Sequence, residues 1–257
     1  MLFSHSLLYY VYSMVRKLNT KQIVTLKIAL KFRYLTTDNL ATYKNITQNS
    51  AYSTLQILHT NGYLGMIYHK SYHLLNKSAR YHVTQQGITF LRKEVPDISS
   101  ALWISRKNEA KKSADFIDLH VSIHAAGNRL RARLGDTIQL FTTLEFYDIE
   151  GMIKPLPSLL VRTVASKQYT LVEITDGQHL FLVKKRIRKY LQNYEEGDWD
   201  WDWAKYPDVY IVRSSSSDRA RLRKYVEDQM ENSYLDEEDF SIHIVSKVEL
   251  IKMKGEV

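Results

Sequence analysis

The chain of 257 residues has no cysteine, and it contains only 9 glycines and 4 prolines. Without cysteine it can form no disulfide, no thiolate metal site and no cysteine nucleophile. The scarcity of glycine and proline argues against a disordered or repetitive chain. Because 44% of the residues are hydrophobic, the length suits one large or two modest globular domains. The missing cysteine also fits the cytoplasm, which is the location that we expect.

Acidic residues are almost missing from the first third of the chain. Residues 1–93 contain 12 lysines and arginines and a single acid, Asp38, whereas the remainder has 24 basic and 27 acidic residues. The formal charge is therefore +11 in the first third and −3 in the rest. A small domain with so much charge of one sign repels itself unless it binds a polyanion. Because neutralising phosphates releases condensed counterions, the predicted partner is double-stranded DNA.

An apolar run near the N-terminus, residues 7–15, is too short to span a bilayer. Its basic neighbours, Arg16 and Lys17, follow the run, whereas those of a signal peptide would precede it. We therefore expect residues 1–19 to be an N-terminal extension, and we expect no membrane partner. Two interpretations stay open, an added helix that packs on the body or a natural start at Met14.

The basic third has the pattern of a helix-turn-helix followed by a hairpin. Thr36 or Thr37 is the expected N-cap of the second helix and Thr47 that of the third, which Asn61-Gly62 should end. The predicted elements are helices over 21–34, 38–43 and 48–60, strands over 63–69 and 80–84 around a polar tip, and a closing helix over 85–93.

These elements resemble the winged-helix DNA-binding family over residues 20–93, with the phrases LTTDNLA, LQILHTNGYL and YHVTQQGITFL in the family's order. In that family the second helix of the helix-turn-helix enters the major groove, and the hairpin, or wing, meets phosphates or the minor groove. The alternative is a protein-interaction module with a solvated polar face. The resemblance implies the following DNA-binding residues: Lys44, Gln48, Asn49, Tyr52, Ser53, Gln56, His69, Lys70, His73, Lys77 and Arg80. A second interpretation of Tyr52 places it in the core.

Residues 94–113 are polar and without clear periodicity, and we interpret them as a linker to a second domain over 114–257. An order of helix, three strands, helix, strand, helix and strand predicts an α/β domain around a mixed sheet. The predicted elements are helices over 115–134, 180–194 and 219–229, and strands over 138–147, 158–165, 169–174, 208–213 and 240–244.

The two halves together resemble the replication-relaxation family of plasmid, phage and mobile-element proteins. The segments that carry the resemblance are LHVSIH (119–124), KPLPSLLV (154–161), YTLVEITDGQ (169–178), RIRKYLQNY (186–194) and YPDVYIVRSSSSDRARLRKYV (206–226). Members typically join a winged helix to a domain similar to PD-(D/E)XK nucleases. The resemblance thus implies an α+β winged helix-turn-helix followed by an α/β restriction-endonuclease-like domain with a mixed sheet.

A nuclease of that type needs carboxylates on adjacent strands to hold Mg²⁺. Where the family has Pro-Asp at the start of its second strand, this chain has Pro157-Ser158. Where the family ends its third strand with Glu-x-Asp or Glu-x-Lys, only Glu173 of this chain matches. Asp176 comes one position late, so along an extended strand it points to the other face. Arg186 stands where the family often has a lysine, and arginine is a poor general base. Glu173 and Asp176 are therefore a degenerate catalytic pair, unless Glu145 and Asp148 compensate.

We interpret the second domain as a nuclease-like fold without activity, in which Glu173 is a remnant or a partner for Arg186. No cofactor is expected, and Mg²⁺ is expected only if the domain cleaves DNA. His120 and His124 stand four residues apart, but no third ligand is evident, so zinc is not expected. A second basic stretch is either another phosphate contact or a solvated helix face: Lys184, Lys185, Arg186, Arg188 and Lys189.

The sequence as a whole predicts a cytoplasmic DNA-binding protein of a plasmid, phage or other mobile element. It would act as an accessory factor in replication or transfer, with replication or conjugation proteins as further partners and a homodimer as one possible state. The alternatives are a metal-dependent DNA endonuclease with a rearranged site and a winged-helix transcriptional regulator.

Overall fold

The structure, a computed structural model, describes residues 17–197, 205–233 and 240–252. The predicted N-terminal extension therefore lies outside the described residues up to position 16. Two units can be distinguished, one of residues 17–98 with Trp103–Lys111, the other of Ser99–Leu102 with the described residues from Lys112 onward. The chain has an α+β fold with helices and a five-stranded mixed sheet.

The first unit contains helices α1 (Thr20–Phe32), α2 (Thr37–Lys44) and α3 (Gln48–Thr60), strand β1 (Leu64–Ile67), helix α4 (Lys70–Leu74), strand β2 (Arg80–Val83) and helix α5 (Gln85–Glu94). The predicted caps of the second and third helices are confirmed. The Thr36 hydroxyl accepts a hydrogen bond from the Asn39 N–H at 3.1 Å, and Thr47 does the same for Ser50 at 3.3 Å. These caps satisfy N–H groups that have no partner within the helix.

Two residues in the left-handed region set the turns around α3. Asn45 ends α2 with φ 50°, and Gly62 follows α3 with φ 78°. A Cβ atom at Gly62 would lie 2.7 Å from the Gln86 Oε1 atom, at the end of a flexible side chain, so it is the backbone conformation that favours glycine. The chain then enters β1, which pairs with β2 in antiparallel register from Leu64 opposite Val83 to Ile67 opposite Arg80.

The segment between β1 and β2, predicted as a polar hairpin tip, contains a helix that the sequence interpretation did not include. It forms the short helix α4, and the Lys77 N–H closes the turn on the Tyr72 carbonyl at 2.8 Å. The Tyr72 side chain, 7% exposed, supplies an apolar anchor for this turn. The sequence interpretation missed the helix because five residues are too few to display a helical period.

The segment interpreted as a linker also differs from that prediction. It contains helix α6 (Ser100–Ser105) and a 3₁₀ turn over Glu109–Lys111. Glu109 is buried, its carboxylate lies 2.6 Å from the Arg33 guanidinium, and its carbonyl accepts the Tyr34 hydroxyl at 2.8 Å. Burial, with the Glu109 contacts, raises the pKa of Tyr34, which therefore stays protonated. The polar composition concealed this packing because the charged groups are paired inside the unit.

The second unit contains α7 (Ala114–Leu134), a 3₁₀ turn over Gly135–Thr137, β3 (Ile138–Phe141), β4 (Leu159–Thr163), β5 (Tyr169–Ile174), α8 (Leu180–Glu196), β6 (Asp208–Val212), α9 (Ser216–Ser233), β7 (Ile242–Val245) and α10 (Lys247–Leu250). The strands form one sheet in the order β3-β4-β5-β6-β7. Neighbours are antiparallel from β3 to β5 and parallel from β5 to β7.

Helices α8 and α9 pack on one face of this sheet. Val183 and Ile187 of α8 and Leu222 of α9 are fully buried in the same cluster as Val209 and Ile211 of β6. Helix α7 packs against β3 and β5. In the part of the chain that the structure describes, no helix has the length and apolar character needed to cross a membrane.

The buried pair of Arg33 and Glu109 yields a stability prediction. Glu109→Ala should lower the free energy of unfolding by about 3–5 kcal/mol, because it leaves a buried guanidinium without its carboxylate. Urea denaturation followed by circular dichroism measures the change, and hydrogen exchange should report faster exchange over Trp103–Lys111. The matched control is Asp97→Ala, at an exposed acid, which should change stability by no more than about 0.5 kcal/mol. Equal stability of the two variants would contradict the prediction.

Candidate functional site

The outward face of α3 is polar and open to solvent. Gln48, Asn49, Tyr52 and Ser53 are all exposed, and Tyr52 is 53% exposed. The interpretation that places Tyr52 in the core is therefore wrong. The opposite stripe of α3, formed by Ala51, Leu55 and Leu58, is completely buried. Because the apolar stripe fixes the rotation of the helix, the amides and hydroxyls are presented outward as hydrogen-bonding groups.

Two residues predicted to contact DNA are engaged within the first unit instead. The Gln56 amide donates to the Tyr81 hydroxyl at 2.8 Å and so ties α3 to β2. The Lys44 ammonium donates to the Lys21 carbonyl and to the Thr25 hydroxyl, both at 3.3 Å. Burial, together with the charge of Lys21, lowers the pKa of Lys44. Gln56 and Lys44 therefore hold helices and strand together, and their polar atoms are not turned outward.

The hairpin between β1 and β2 presents some of its predicted DNA-binding residues to solvent but not all of them. His69, Lys70 and His73 are exposed, and Lys77 is half-buried with its ammonium 6.0 Å from the Tyr72 ring centre. Arg80 is only 5% exposed, and its guanidinium lies over the same ring at 4.6 Å. The expectation that Arg80 contacts phosphate is therefore not met, because this cation packs inside the hairpin and donates to the Ser78 carbonyl.

The sequence interpretation missed the apolar surface of this hairpin. Tyr68 is 50% exposed, Leu74 86% and Leu75 61%. The signal was present in the sequence, since two consecutive leucines stand in a segment otherwise rich in histidine, lysine and asparagine. Exposed large apolar side chains that lie together mark an interaction surface more often than scattered ones do.

In the second unit, Glu173 lies at the centre of a buried hydrogen-bonded cluster. Its Oε1 atom accepts from the Arg186 Nε at 2.5 Å and from the Tyr190 hydroxyl at 2.6 Å. The Arg186 guanidinium also donates to the Tyr190 hydroxyl at 3.0 Å. The Ser158 hydroxyl donates to Oε2 of Glu173 at 3.4 Å and accepts from the Ile174 N–H at 3.0 Å. The expected pairing of Glu173 with Arg186 is thus present.

The protonation states within the Glu173 cluster follow from burial and charge. Burial alone would lower the pKa of Arg186, but the adjacent Glu173 carboxylate outweighs burial and raises it. Burial and the same carboxylate raise the pKa of Tyr190 well above its ordinary value. Arg186 is therefore a fixed cation and Tyr190 a fixed hydroxyl donor. Neither of these two groups can exchange a proton near neutral pH.

Asp176, the second predicted catalytic residue, is bonded elsewhere. It accepts from the Ser214 N–H at 2.7 Å and from the Ser214 hydroxyl at 2.8 Å, and its carboxylate lies 2.6 Å from the Lys247 ammonium. Burial would raise the pKa of Asp176, but the Lys247 and Ser214 contacts prevail and lower it. Asp176 thus joins the loops that follow β5 and β6 to the start of α10. Glu173 and Asp176 have separate partners in the described structure.

The remaining candidate ligands do not form a metal site within the described residues. Glu145, which could have compensated, accepts hydrogen bonds from the N–H and hydroxyl of Thr142 at 2.8 and 2.7 Å. His124 is buried, whereas the ring of His120 packs against Phe116 at 4.5 Å. Among the described residues, no group of three or more histidines, aspartates and glutamates is arranged to hold a metal ion.

The predicted second basic patch does not act as one surface. Arg186 lies in the buried cluster, the Lys184 ammonium lies 4.6 Å from the Tyr225 ring centre, and Lys189 donates to the Lys154 carbonyl at 3.1 Å. Only Lys185 and Arg188 of the five are exposed. This stretch of α8 is therefore in large part a set of structural contacts.

Comparison with known proteins finds no match among protein-family models, curated proteins or solved structures. The resemblance to the replication-relaxation family consequently stays a prediction from the sequence.

The Glu173 cluster yields a second stability prediction. Glu173→Ala should lower the free energy of unfolding by about 3–5 kcal/mol, because it leaves the Arg186 charge buried without a carboxylate. The double variant Glu173→Ala/Arg186→Met should recover part of that loss, since it removes both charges and keeps an apolar stem in place of the arginine. Urea denaturation measures both, with Glu227→Ala at an exposed acid of α9 as the matched control. A double variant less stable than Glu173→Ala would contradict this account.

Proposed function

We propose that this protein binds double-stranded DNA through its first unit, used as a winged helix. The observation that carries the proposal is the surface of α3 and the hairpin. From Asn39 to Lys93 the sequence contains no acid, and the exposed residues of this stretch include Gln48, Asn49, Lys70 and His73. Amide side chains can pair with adenine edges, and the Lys70 ammonium suits phosphates.

The internal contacts of the first unit support this use. The bond between Gln56 and Tyr81 links α3 to β2, and the His59 ring nitrogen Nδ1 lies 3.0 Å from the Leu64 carbonyl at the start of β1. Helix and hairpin are therefore held together as one rigid surface. In the proposed docking α3 enters the major groove while the hairpin meets the adjacent backbone or minor groove.

For the second unit we propose a nuclease-like domain without catalytic activity. Three of the positions at which the resemblance expects site residues carry Ser158, Glu173 and Arg186, and these side chains lie together. The carboxylate that would bind Mg²⁺ is neutralised by an arginine. Under this proposal the domain steadies DNA or recruits replication or conjugation proteins, as an accessory factor in the replication or transfer of a plasmid, phage or other mobile element.

Fluorescence anisotropy of labelled duplexes with the full chain, over a series of salt concentrations, tests the proposed function. Binding should weaken steeply as salt rises, because each neutralised phosphate releases counterions. The same samples, with and without Mg²⁺ or Mn²⁺, are then run on a denaturing gel, and the DNA should stay intact. Absence of salt-dependent binding would overturn the proposal. Metal-dependent cleavage that Glu173→Gln removes would replace it with the endonuclease alternative.

The exposed amides of α3 and the hairpin lysine should have separable effects. Gln48→Ala or Asn49→Ala should weaken binding to a preferred sequence, found by selection from a random pool, by about 1–3 kcal/mol, with little change on other sequences. Lys70→Ala should weaken binding to all sequences alike. It should also reduce the slope of log affinity against log salt concentration by about 1. The controls are Gln168→Ala and Lys252→Ala, at exposed positions of the second unit. Equal losses on every sequence for the amide variants would refute base reading by α3.

A separate measurement decides between the two interpretations of the second basic patch. If the exposed side of α8 contacts phosphate, Lys185→Ala should reduce the salt slope by about 1, as is expected for Lys70→Ala. If it is a solvated face, the slope should equal that of Lys252→Ala. Because only Lys185 and Arg188 of this patch are exposed, we expect the second result.

A further inference from the structure

The tip of the hairpin between β1 and β2 presents two leucines to solvent. Leu74 and Leu75 are 86% and 61% exposed, and they stand at the end of α4, the point of the hairpin farthest along the chain from both strands. Removing such side chains from water is favourable, so their exposure in an ordered turn indicates an interaction surface.

Backbone hydrogen bonds hold the leucine tip in one conformation. The Lys77 N–H donates to the Tyr72 carbonyl at 2.8 Å and the Asn76 N–H to the His73 carbonyl at 3.3 Å, with Asn76 at φ 52°. This is the Schellman pattern, a closed end of a helical turn. Below it Tyr72 is buried, with the Arg80 guanidinium over its ring at 4.6 Å and the His69 ring at 5.3 Å. The two leucines are therefore held by a turn that hydrogen bonds and the packing around Tyr72 stabilise.

The charged residues around the tip restrict the kind of surface that it can bind. Lys70 and His73 are exposed on α4 itself, and Lys77 follows directly, whereas the nearest acid before the hairpin along the chain is Asp38. Asp38 accepts a hydrogen bond from the Ser78 hydroxyl at 3.0 Å, at the base of the tip. An apolar pair with Lys70 before it and Lys77 after it is complementary to a surface that has phosphates outside and an apolar interior.

We propose that the leucine tip is a wedge that inserts Leu74, supported by Leu75, between stacked base pairs from the minor groove of DNA, unstacks one step and bends the duplex. Leucine is among the side chains that perform this insertion in minor-groove binders, which kink the duplex by roughly 20–90°. The flanking cations bind the phosphates on either side. This inference rests on the proposed function and adds to it selection for deformable sequences.

Duplex DNA is favoured over an anionic membrane by a second exposed face of the same unit. A membrane surface would need apolar and basic groups alone, whereas the same rigid unit presents the hydrogen-bonding face of α3, with Gln48 and Asn49 exposed. Hydrogen-bonding amides match base edges and have no counterpart in a lipid interior. Pyrimidine–purine steps unstack most readily, so TA-rich duplexes should accept the wedge at the lowest deformation energy.

The experiment uses the full chain and a 30-base-pair duplex whose centre alternates T and A, with 2-aminopurine replacing the adenines and a fluorophore pair on the ends. Insertion should raise the 2-aminopurine fluorescence, which reports unstacking, and should increase energy transfer between the ends. Leu74→Ala should remove more than about half of both signals while keeping salt-dependent binding. Leu182→Ala, at a leucine of α8 that is 49% exposed, is the matched control and should behave as the unaltered protein.

The outcomes separate this inference from the proposed function. Binding without any fluorescence rise or bend, or signals that Leu74→Ala leaves unchanged, would overturn the wedge and leave DNA binding in place. Absence of binding to any duplex would overturn both. Vesicles of phosphatidylcholine and phosphatidylserine provide the remaining arm. Leu74-dependent binding to these vesicles, with no Leu74-dependent signal on DNA, would assign the tip to a membrane surface and overturn the wedge.

Discussion

A buried carboxylate needs a cation beside it, and each unit of this protein depends on one such pair. In the first unit, Glu109 lies 2.6 Å from Arg33 and joins the segment Trp103–Lys111 to α1. In the second, Glu173 lies 2.5 Å from Arg186 and joins β5 to α8. Neither charge can be removed alone, because its partner would stay buried without compensation. The pairs therefore fix which elements pack together.

The same constraint decides which surfaces are left for function. Arg33 and Arg186 are basic residues, yet both are used internally, and so are Arg80 and Lys44. Lys70 is an exposed cation of the hairpin, and Lys21, Lys27, Arg92 and Lys93 are exposed elsewhere in the first unit. Formal charge along the chain thus overstates the basic surface. The basic surface available for the proposed DNA contact is therefore smaller than the charge of +11 implies. It includes the hairpin, which packs against α3.

Periodicity and capping residues predicted most of the fold, because they depend on neighbours in the sequence. Thr47 and the stripe Ala51, Leu55 and Leu58 locate α3 without reference to the rest of the chain. Contacts between residues far apart in the sequence are not visible in a local sequence pattern. The contact of Glu109 with Arg33 spans more than seventy residues, so its segment resembled a linker. Outward-facing residues could be named from the helix period, but whether Gln56 or Arg80 finds an internal partner depends on the tertiary structure.

Under the proposed function, a division of roles on the first unit explains why an apolar tip lies on a basic surface. Cations would give affinity that falls with salt and does not distinguish sequences, and the amides on α3 would distinguish bases by their edges. A wedge distinguishes by how easily the duplex deforms, which depends on stacking and not on base edges. If both proposals hold, sequence discrimination by the tip is independent of sequence discrimination by α3. A rigid support such as the turn braced by Tyr72 is necessary for it, since a flexible tip would fold its leucines away instead of unstacking bases.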